Sequence, residues 1–258
     1  MTLNYVRRGT GEPLVLVHGL GSQWQIWTPQ LDRLAAERDV VALDLPGFGG
    51  SAPLRDGERP TVARLTQAVG ELIDELGLER PHVAGFSLGG GISLELGRAG
   101  RARTVTAICP IGFWNARERR YEHALFKVSI AGRARAEQTA RLVRNPVLRT
   151  LMTWHLSARP WRWPADESQN ATANMLSSPG FDETLEAHLE YLFHDGDEIG
   201  VPVTVAWGDL DFVLLSRQRF RAERALPRAR HVTLRRCGHV PHWDDPDALT
   251  AAILEGSG

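Results

Sequence analysis

The pentapeptide Gly85-Phe86-Ser87-Leu88-Gly89 constrains this chain more than any other feature. It follows an apolar stretch at residues 82–84 and opens onto residues 90–98, which read as a helix. A serine at the tip of so tight a strand-to-helix turn adopts a strained backbone, tolerated only among small neighbours. Gly85 and Gly89 remove side chains that would collide there, and Gly90 and Gly91 let helix and strand pack closely. Ser87 then stands at a helix N-terminus, where free backbone N–H groups and the helix dipole favour developing negative charge. A helix-capping serine in a Gly-rich turn is the plainer reading of the same residues.

The rest of the chain supplies a frame for that turn. Short apolar runs at 13–17, 40–45, 82–86, 104–109, 201–207 and 231–234 read as strands. Helical stretches fall between most of them, the pattern of βα units in a mostly parallel sheet. The clearest helix covers 61–78, with Val62, Leu65, Val69, Leu72, Ile73 and Leu76 at helical spacing. Pro60 and Thr61 mark its start and Gly77 its end. Between 115 and 198 the alternation stops. That segment has no strand pattern, carries Trp154, Trp161 and Trp163, and is broken by Pro146, Pro160, Pro164 and Pro179. It reads as a helical insertion into a core made of 1–114 and 199–258.

Composition removes several classes. With 258 residues, 43% of them hydrophobic, and a net charge of −1, the chain is expected to bury a sizeable core. Such a balance does not suit a dedicated nucleic-acid binder. Cys109 and Cys237 are the only cysteines, so neither a disulfide framework nor a Cys-x-x-Cys metal site is available. No apolar run approaches the roughly 18 residues of a membrane-spanning helix. Residues 1–13 hold two arginines and no apolar core of a secretory signal, so a cytoplasmic protein without a membrane partner is expected. Lys127 is the only lysine among 30 basic residues, which suits a GC-rich genome and takes functional weight off arginine counts. The insertion is nevertheless split in charge. Residues 115–162 hold eleven Lys/Arg and three Asp/Glu, whereas 163–198 hold nine Asp/Glu and no Lys/Arg. That the two halves face each other or are simply solvated is the plainer expectation; steering of an anionic substrate by the basic half is the other.

Three further loops carry candidate chemistry. His18-Gly19-Leu20-Gly21 follows the first confident strand, and a tight turn there aims the Leu20 N–H at the Ser87 site. Paired with the Leu88 N–H, it would form an oxyanion hole. The loop lacks the third glycine of a dinucleotide fingerprint and the lysine of a phosphate-binding loop. Gly208-Asp209-Leu210-Asp211 offers a carboxylate just past a strand end, Asp211 before Asp209. Gly238-His239-Val240-Pro241 places an imidazole in a loop after the last strand, in the order Ser, Asp, His. His239 and His242 also spell an H-x-x-H pair, but no third ligand has sensible spacing and Pro241 disfavours a helix there, so no metal is expected.

Taken together, His18-Gly19, Asp44-Leu45-Pro46-Gly47-Phe48-Gly49 with Ser51, the Ser87 pentapeptide, Gly208-x-x-Asp211 and Gly238-His239-x-Pro241 resemble the α/β-hydrolase superfamily. The resemblance covers nearly the whole chain. It implies an α/β fold: a mostly parallel eight-stranded sheet with a helical cap inserted after strand 6. It also implies Ser87 as nucleophile, His239 as general base, Asp211 as orienting acid, the Leu20 and Leu88 amides as oxyanion donors, and no cofactor. Relatives that open epoxides or displace halides carry an aspartate at the Ser87 position, so those activities are not expected. Residues 104–114 contain no Asp or Glu, which excludes an acid from that strand. In the implied strand order one strand separates Cys109 from Cys237, about 10 Å, too far for a disulfide, and both would form small apolar walls near the pocket.

Trp24, Trp27, Phe86, Trp114 and Phe212, with Phe113 and Trp243 beside them, lie within a few residues of these loops and are the candidate pocket surface. They suit a small, largely apolar ester of a small-molecule substrate. Three other readings of the same residues stay open: C–C bond hydrolysis of a vinylogous diketone, cofactor-free perhydrolysis or haloperoxidation, and ligand binding without turnover. The chain is read as a monomer or a homodimer.

Overall fold

The computed structural model describes residues 2–55 and 57–258. Its strands are β1 (Tyr5–Arg8), β2 (Pro13–Val17), β3 (Asp39–Leu43), β4 (His82–Phe86), β5 (Val105–Ile108), β6 (Val203–Gly208) and β7 (Arg230–Leu234). They form one sheet in the order β1-β3-β2-β4-β5-β6-β7, with β1 antiparallel to β3 and every other pair parallel. The α-helices are α1 (Thr28–Ala35), α2 (Val62–Glu75), α3 (Leu88–Arg98), α4 (Ala116–Ser129), α5 (Ala136–Leu142), α6 (Pro146–Thr153), α7 (Ala165–Ser177), α8 (Phe181–His188), α9 (Arg219–Ala225), α10 (Pro241–Asp244) and α11 (Pro246–Gly256).

The resemblance implies eight strands and an insertion after the sixth. Among the described residues the sheet has seven, and the helical segment follows the fifth. Just ahead of β1, Asn4 still runs beside the end of β3: its carbonyl accepts from the Asp44 N–H, while its own N–H donates to Ser51 Oγ and its amide group to the Asp44 carboxylate. β1 itself escapes the apolar-run criterion. It is a solvent-facing edge strand, and Arg7 pairs with Asp39 across it at 2.6 Å. β4, β5 and β6 are buried throughout, as expected of parallel strands covered on both faces, and so read as continuous apolar runs. α3 and α11 both pack on β5, paired respectively with α2 and α1.

Between β5 and β6 the described residues form only helices and turns, α4 to α8. Asn115 starts this segment with a capping box, accepting from the Arg117 and Glu118 amides while Glu118 accepts from the Asn115 amide. The buried Glu118 carboxylate also holds Arg217 and Arg221, anchoring the base of the insertion to the start of α9 and the turn before it. Three basic residues of the first half pair with three acids of the second. Arg133 and Lys127 reach Asp182, Lys127 reaches Glu186, and Arg144 reaches Asp166. No described helix is long and apolar enough to cross a membrane.

Asp44, at the end of β3, organises the approach to the carboxyl edge of the sheet. It is 1% exposed and accepts hydrogen bonds from Asn4 Nδ2 and the Trp24 N–H at 2.7 Å and from the Gly50 N–H at 2.9 Å. Ser51 Oγ closes the loop by donating to the Asp44 carbonyl at 2.7 Å. Asp44→Ala removes the buried acceptor of three part-buried donors, so we expect it to lower the unfolding free energy by about 2 kcal/mol in denaturant titrations. A loss below about 1 kcal/mol would mean that water takes over the carboxylate's bonds.

Candidate active site

Ser87 leaves β4 with φ 56° and ψ −112°, a conformation that L side chains rarely adopt. Its backbone is fixed on both sides. The N–H donates to the Ile108 carbonyl at 2.8 Å, and the Ser87 carbonyl accepts from Gly91 at 3.1 Å and Ile111 at 3.2 Å. A Cβ on Gly85 would run into the Gly89 carbonyl and Ser93 Oγ, and one on Gly89 into the carbonyls of Val17 and His18. Although Ser87 is the N-cap of α3, its hydroxyl makes no capping bond. It faces His239 Nε2 at 3.1 Å instead.

The other face of that imidazole meets Asp211, with Nδ1 2.9 Å from Oδ2. Asp211 Oδ1 accepts from the Val213 and Leu214 amides, each at 2.9 Å, which locks the carboxylate. The acceptor at Nδ1 assigns the ring proton to that nitrogen and leaves the Nε2 lone pair for the serine hydroxyl. Asp209, the alternative acid, turns away and accepts from the Arg236 N–H at 2.6 Å. Ser87, Asp211 and His239 are all at most 5% exposed.

The His239 loop is held from the insertion side. Buried Asp244 accepts from the Gly238 N–H at 2.7 Å and, across the gap, from Ser157 Oγ and the Ala158 and Arg159 amides. The Val240 N–H donates to the Leu156 carbonyl at 2.7 Å. None of these tethers was visible in the sequence motifs.

Both cysteines are free and buried, but neither walls the cavity. Cys109, with φ 42°, lies under the relay, its sulfur within 4.8 Å of ligand-type atoms of Asp211 and His239. That trio resembles a metal set in composition only. Burial and the Asp211 charge push the Cys109 thiol well above its usual range, and the lone pairs of Asp211 and His239 are already engaged. A cation there would need a thiolate and free lone pairs.

Of the two expected amide donors, Leu88 follows Ser87 in the chain at the start of α3 and Leu20 belongs to the loop after β2. A Cβ on Gly19 would stand 3.0 Å from Ser87 Cβ, so the loop after β2 lies directly against the serine. The N–H groups of Leu20 and Leu88 find no acceptor among the described residues. His18 shapes this loop. Its Nε2 accepts from the Leu45 N–H at 2.9 Å, which leaves Nδ1 to donate to the Gly19 carbonyl at 2.7 Å.

Ser87 and His239 open into a cavity of about 1150 Å³ including its mouth, roofed by the insertion. Its walls are mostly apolar, with Ile26, Phe86, Phe126, Val143, Met175 and Trp243 among them. Of the five candidate pocket aromatics, the structure puts Phe86 on the wall and the other four off it. Trp27 is fully buried in the core, edge-on to His242 at 4.6 Å. Trp114 packs on His188, while Phe212 is 43% exposed beside Trp154. Trp24 contributes its backbone N–H to Asp44 rather than its ring to the cavity. Nearness in sequence to a loop does not set the direction of a side chain. The roof residues Phe126, His155, Trp163 and Met175 were missed because an insertion's fold determines which face looks down.

Residues 14–252 match a family model described as "Alpha/beta hydrolase family", and the chain belongs to that family. It is 39% identical over 117 residues to the dihydrolipoyllysine-residue acetyltransferase component of the acetoin cleaving system of Cupriavidus necator, covering 44% of this chain. It spans only 31% of that relative's length. It is 27% identical over 247 residues to an Escherichia coli protein that carries the name carbamate hydrolase RutD, covering 94% of this chain and 90% of the relative. Among solved structures, an esterase from Exiguobacterium antarcticum superposes with a TM-score of 0.81 at 18% identity, covering 98% of this chain and 94% of that one, a likeness of fold.

His242, the second histidine of the H-x-x-H pair, points away from His239's partners. It is fully buried between Trp27 and Phe86, and neither ring nitrogen has a partner among the described residues. Burial pushes it down to about 3 and His155 down to about 4, from the usual 6.5. Below pH 6.5 the unfolded chain therefore binds protons that the folded chain refuses, and stability is lost as the pH falls toward 4. Each such group contributes a slope of about 1.4 kcal/mol per pH unit in that window. We expect His242→Phe to remove one such contribution in denaturant titrations between pH 6.5 and 4.5. An unchanged slope would show that His242 is protonated in the fold.

Proposed function

We propose that the protein is a serine hydrolase that cleaves a carboxylic ester, or a related acyl bond, of a small, largely apolar substrate. The observation that carries this reading is the continuous relay from Asp211 through His239 to a Ser87 hydroxyl that caps nothing. His239 Nε2 takes the hydroxyl proton as Ser87 Oγ attacks the carbonyl carbon, and Asp211 stabilises the imidazolium through Nδ1. The oxyanion forms against the Leu20 and Leu88 amides at the start of α3, where the helix dipole also favours it.

Collapse of this intermediate breaks the bond to the leaving group, which takes the proton from His239 and departs as an alcohol. Water then gives a proton to His239 as its oxygen attacks the acyl carbon. The second collapse frees the acid, and the proton returns to Ser87 Oγ. The mostly apolar cavity suits a hydrocarbon-rich acyl group. The carbamate hydrolase name of a relative similar over most of this chain falls within the same acyl-transfer chemistry.

A fluorophosphonate should add one adduct to the intact protein, at Ser87, as read by mass spectrometry. Ser87→Ala should lose the adduct and lower ester turnover by roughly 10⁵-fold or more while keeping the fold. Asp211→Asn should slow labelling and lower kcat by about 10⁴-fold, because the imidazole is then held in the wrong tautomer. Well-folded wild type that does not label would sink the reading and favour ligand binding without turnover.

A further inference from the structure

His155 lies on the roof of the cavity that Ser87 and His239 line, and is 7% exposed. Its Nε2 stands 3.3 Å from Ser129 Oγ. That hydroxyl has a single proton, committed to the Leu125 carbonyl one helical turn back, at the shorter distance of 2.9 Å. Ser129 therefore meets the imidazole only as an acceptor, so Nε2 carries the ring proton and Nδ1 presents a bare lone pair. Burial and the neighbouring His239 push the His155 ring down to about 4, which keeps it neutral at ordinary pH.

No described residue donates to His155 Nδ1, and Phe126, Met152 and Leu156 line the same cavity. Two further atoms on cavity residues, Gln25 Oε1 and Trp163 Nε1, also lack partners among the described residues. The His155 ring is buried, yet Nδ1 is not among the fully enclosed unpartnered atoms and keeps access to the cavity's solvent, and a bound hydrocarbon chain would displace water from it without replacing the hydrogen bond. We propose that His155 Nδ1 is a substrate-binding acceptor, and that the acyl group this protein accepts carries a hydroxyl or N–H donor directed at the roof of the cavity. The acyl group is assigned to the roofed part because it stays on Ser87 while the leaving group departs and water enters. This inference rests on the reading of Ser87 as the nucleophile.

The test uses pairs of p-nitrophenyl esters in which a methyl is exchanged for a hydroxyl: 3-methylbutyrate against each enantiomer of 3-hydroxybutyrate, and heptanoate against 6-hydroxyhexanoate. Wild type should favour the hydroxylated member of at least one pair by about tenfold in kcat/KM, the equivalent of one hydrogen bond. In His155→Phe that ratio should fall to about one. His155→Asn, whose Oδ1 stands near the place of Nδ1, should recover part of it. The ratio is internal to each protein, so a general loss of rate does not move it. Equal rates within every pair in wild type, or a preference that survives His155→Phe, would overturn the assignment. Should His155→Phe fail to fold, His155→Leu takes its place: a ratio near one supports the assignment, and a ratio at the wild-type value overturns it. Failure of the nucleophile itself looks different: wild type then neither labels with fluorophosphonate nor turns over either member of any pair.

Discussion

The positive φ of Ser87 is held in place by groups that leave the chain no other course. Its amide and carbonyl are both committed to neighbouring backbone, and the turn passes so close to β2 and α3 that Gly85 and Gly89 have no room for a Cβ. Strain of this kind costs on the order of 1–3 kcal/mol and persists only where the surroundings over-determine it. Its consequence is positional. The hydroxyl is lifted off the end of α3 toward His239, and the first amide of the helix is left free beside the loop after β2. Every other feature of the site is arranged around that one raised oxygen.

The imidazole is steadied from two directions. Asp211 fixes its tautomer, and Asp244 fixes its loop by binding Gly238 on one side and Ser157, Ala158 and Arg159 on the other. The second tether makes the seating of the insertion and the position of His239 a single mechanical problem. A buried carboxylate that accepts several hydrogen bonds is a strong clamp, because losing it would leave all of its donors unpaired at once. The roof of the cavity is thus bonded to the loop that carries the base.

The buried histidines show how one side chain is put to different uses by its neighbours. His18 is locked as a turn-former by the Leu45 and Gly19 backbone, and His242 is a neutral ring packed among aromatics. His239 is poised between a carboxylate and a hydroxyl, and His155 meets Ser129 at the roof of the cavity. Burial disfavours the charged form of an imidazole, so the rings of His155 and His242 are neutral.

Much of this was legible in the chain itself. The glycines around Ser87, the order Ser87, Asp211, His239 and the apolar runs of β2 to β6 follow from local sterics and from burial of the central strands, which leave marks in adjacent residues. The lack of a strand pattern between residues 115 and 198 was legible for the same reason. The edge strand β1 was not, because a strand facing solvent needs no apolar run. The seventh-strand count, the Asp244 tether, the placing of Cys109 beneath the relay and the cavity wall were decided by tertiary structure alone. Trp27 and Trp114 sit as near to the site loops in sequence as Phe86 does, yet they pack into the core, while His155, far away in sequence, forms part of the roof. Sequence records what each residue requires of its immediate neighbours; which face of a helix looks into a cavity depends on contacts between segments more than fifty residues apart, and only the folded chain brings those together.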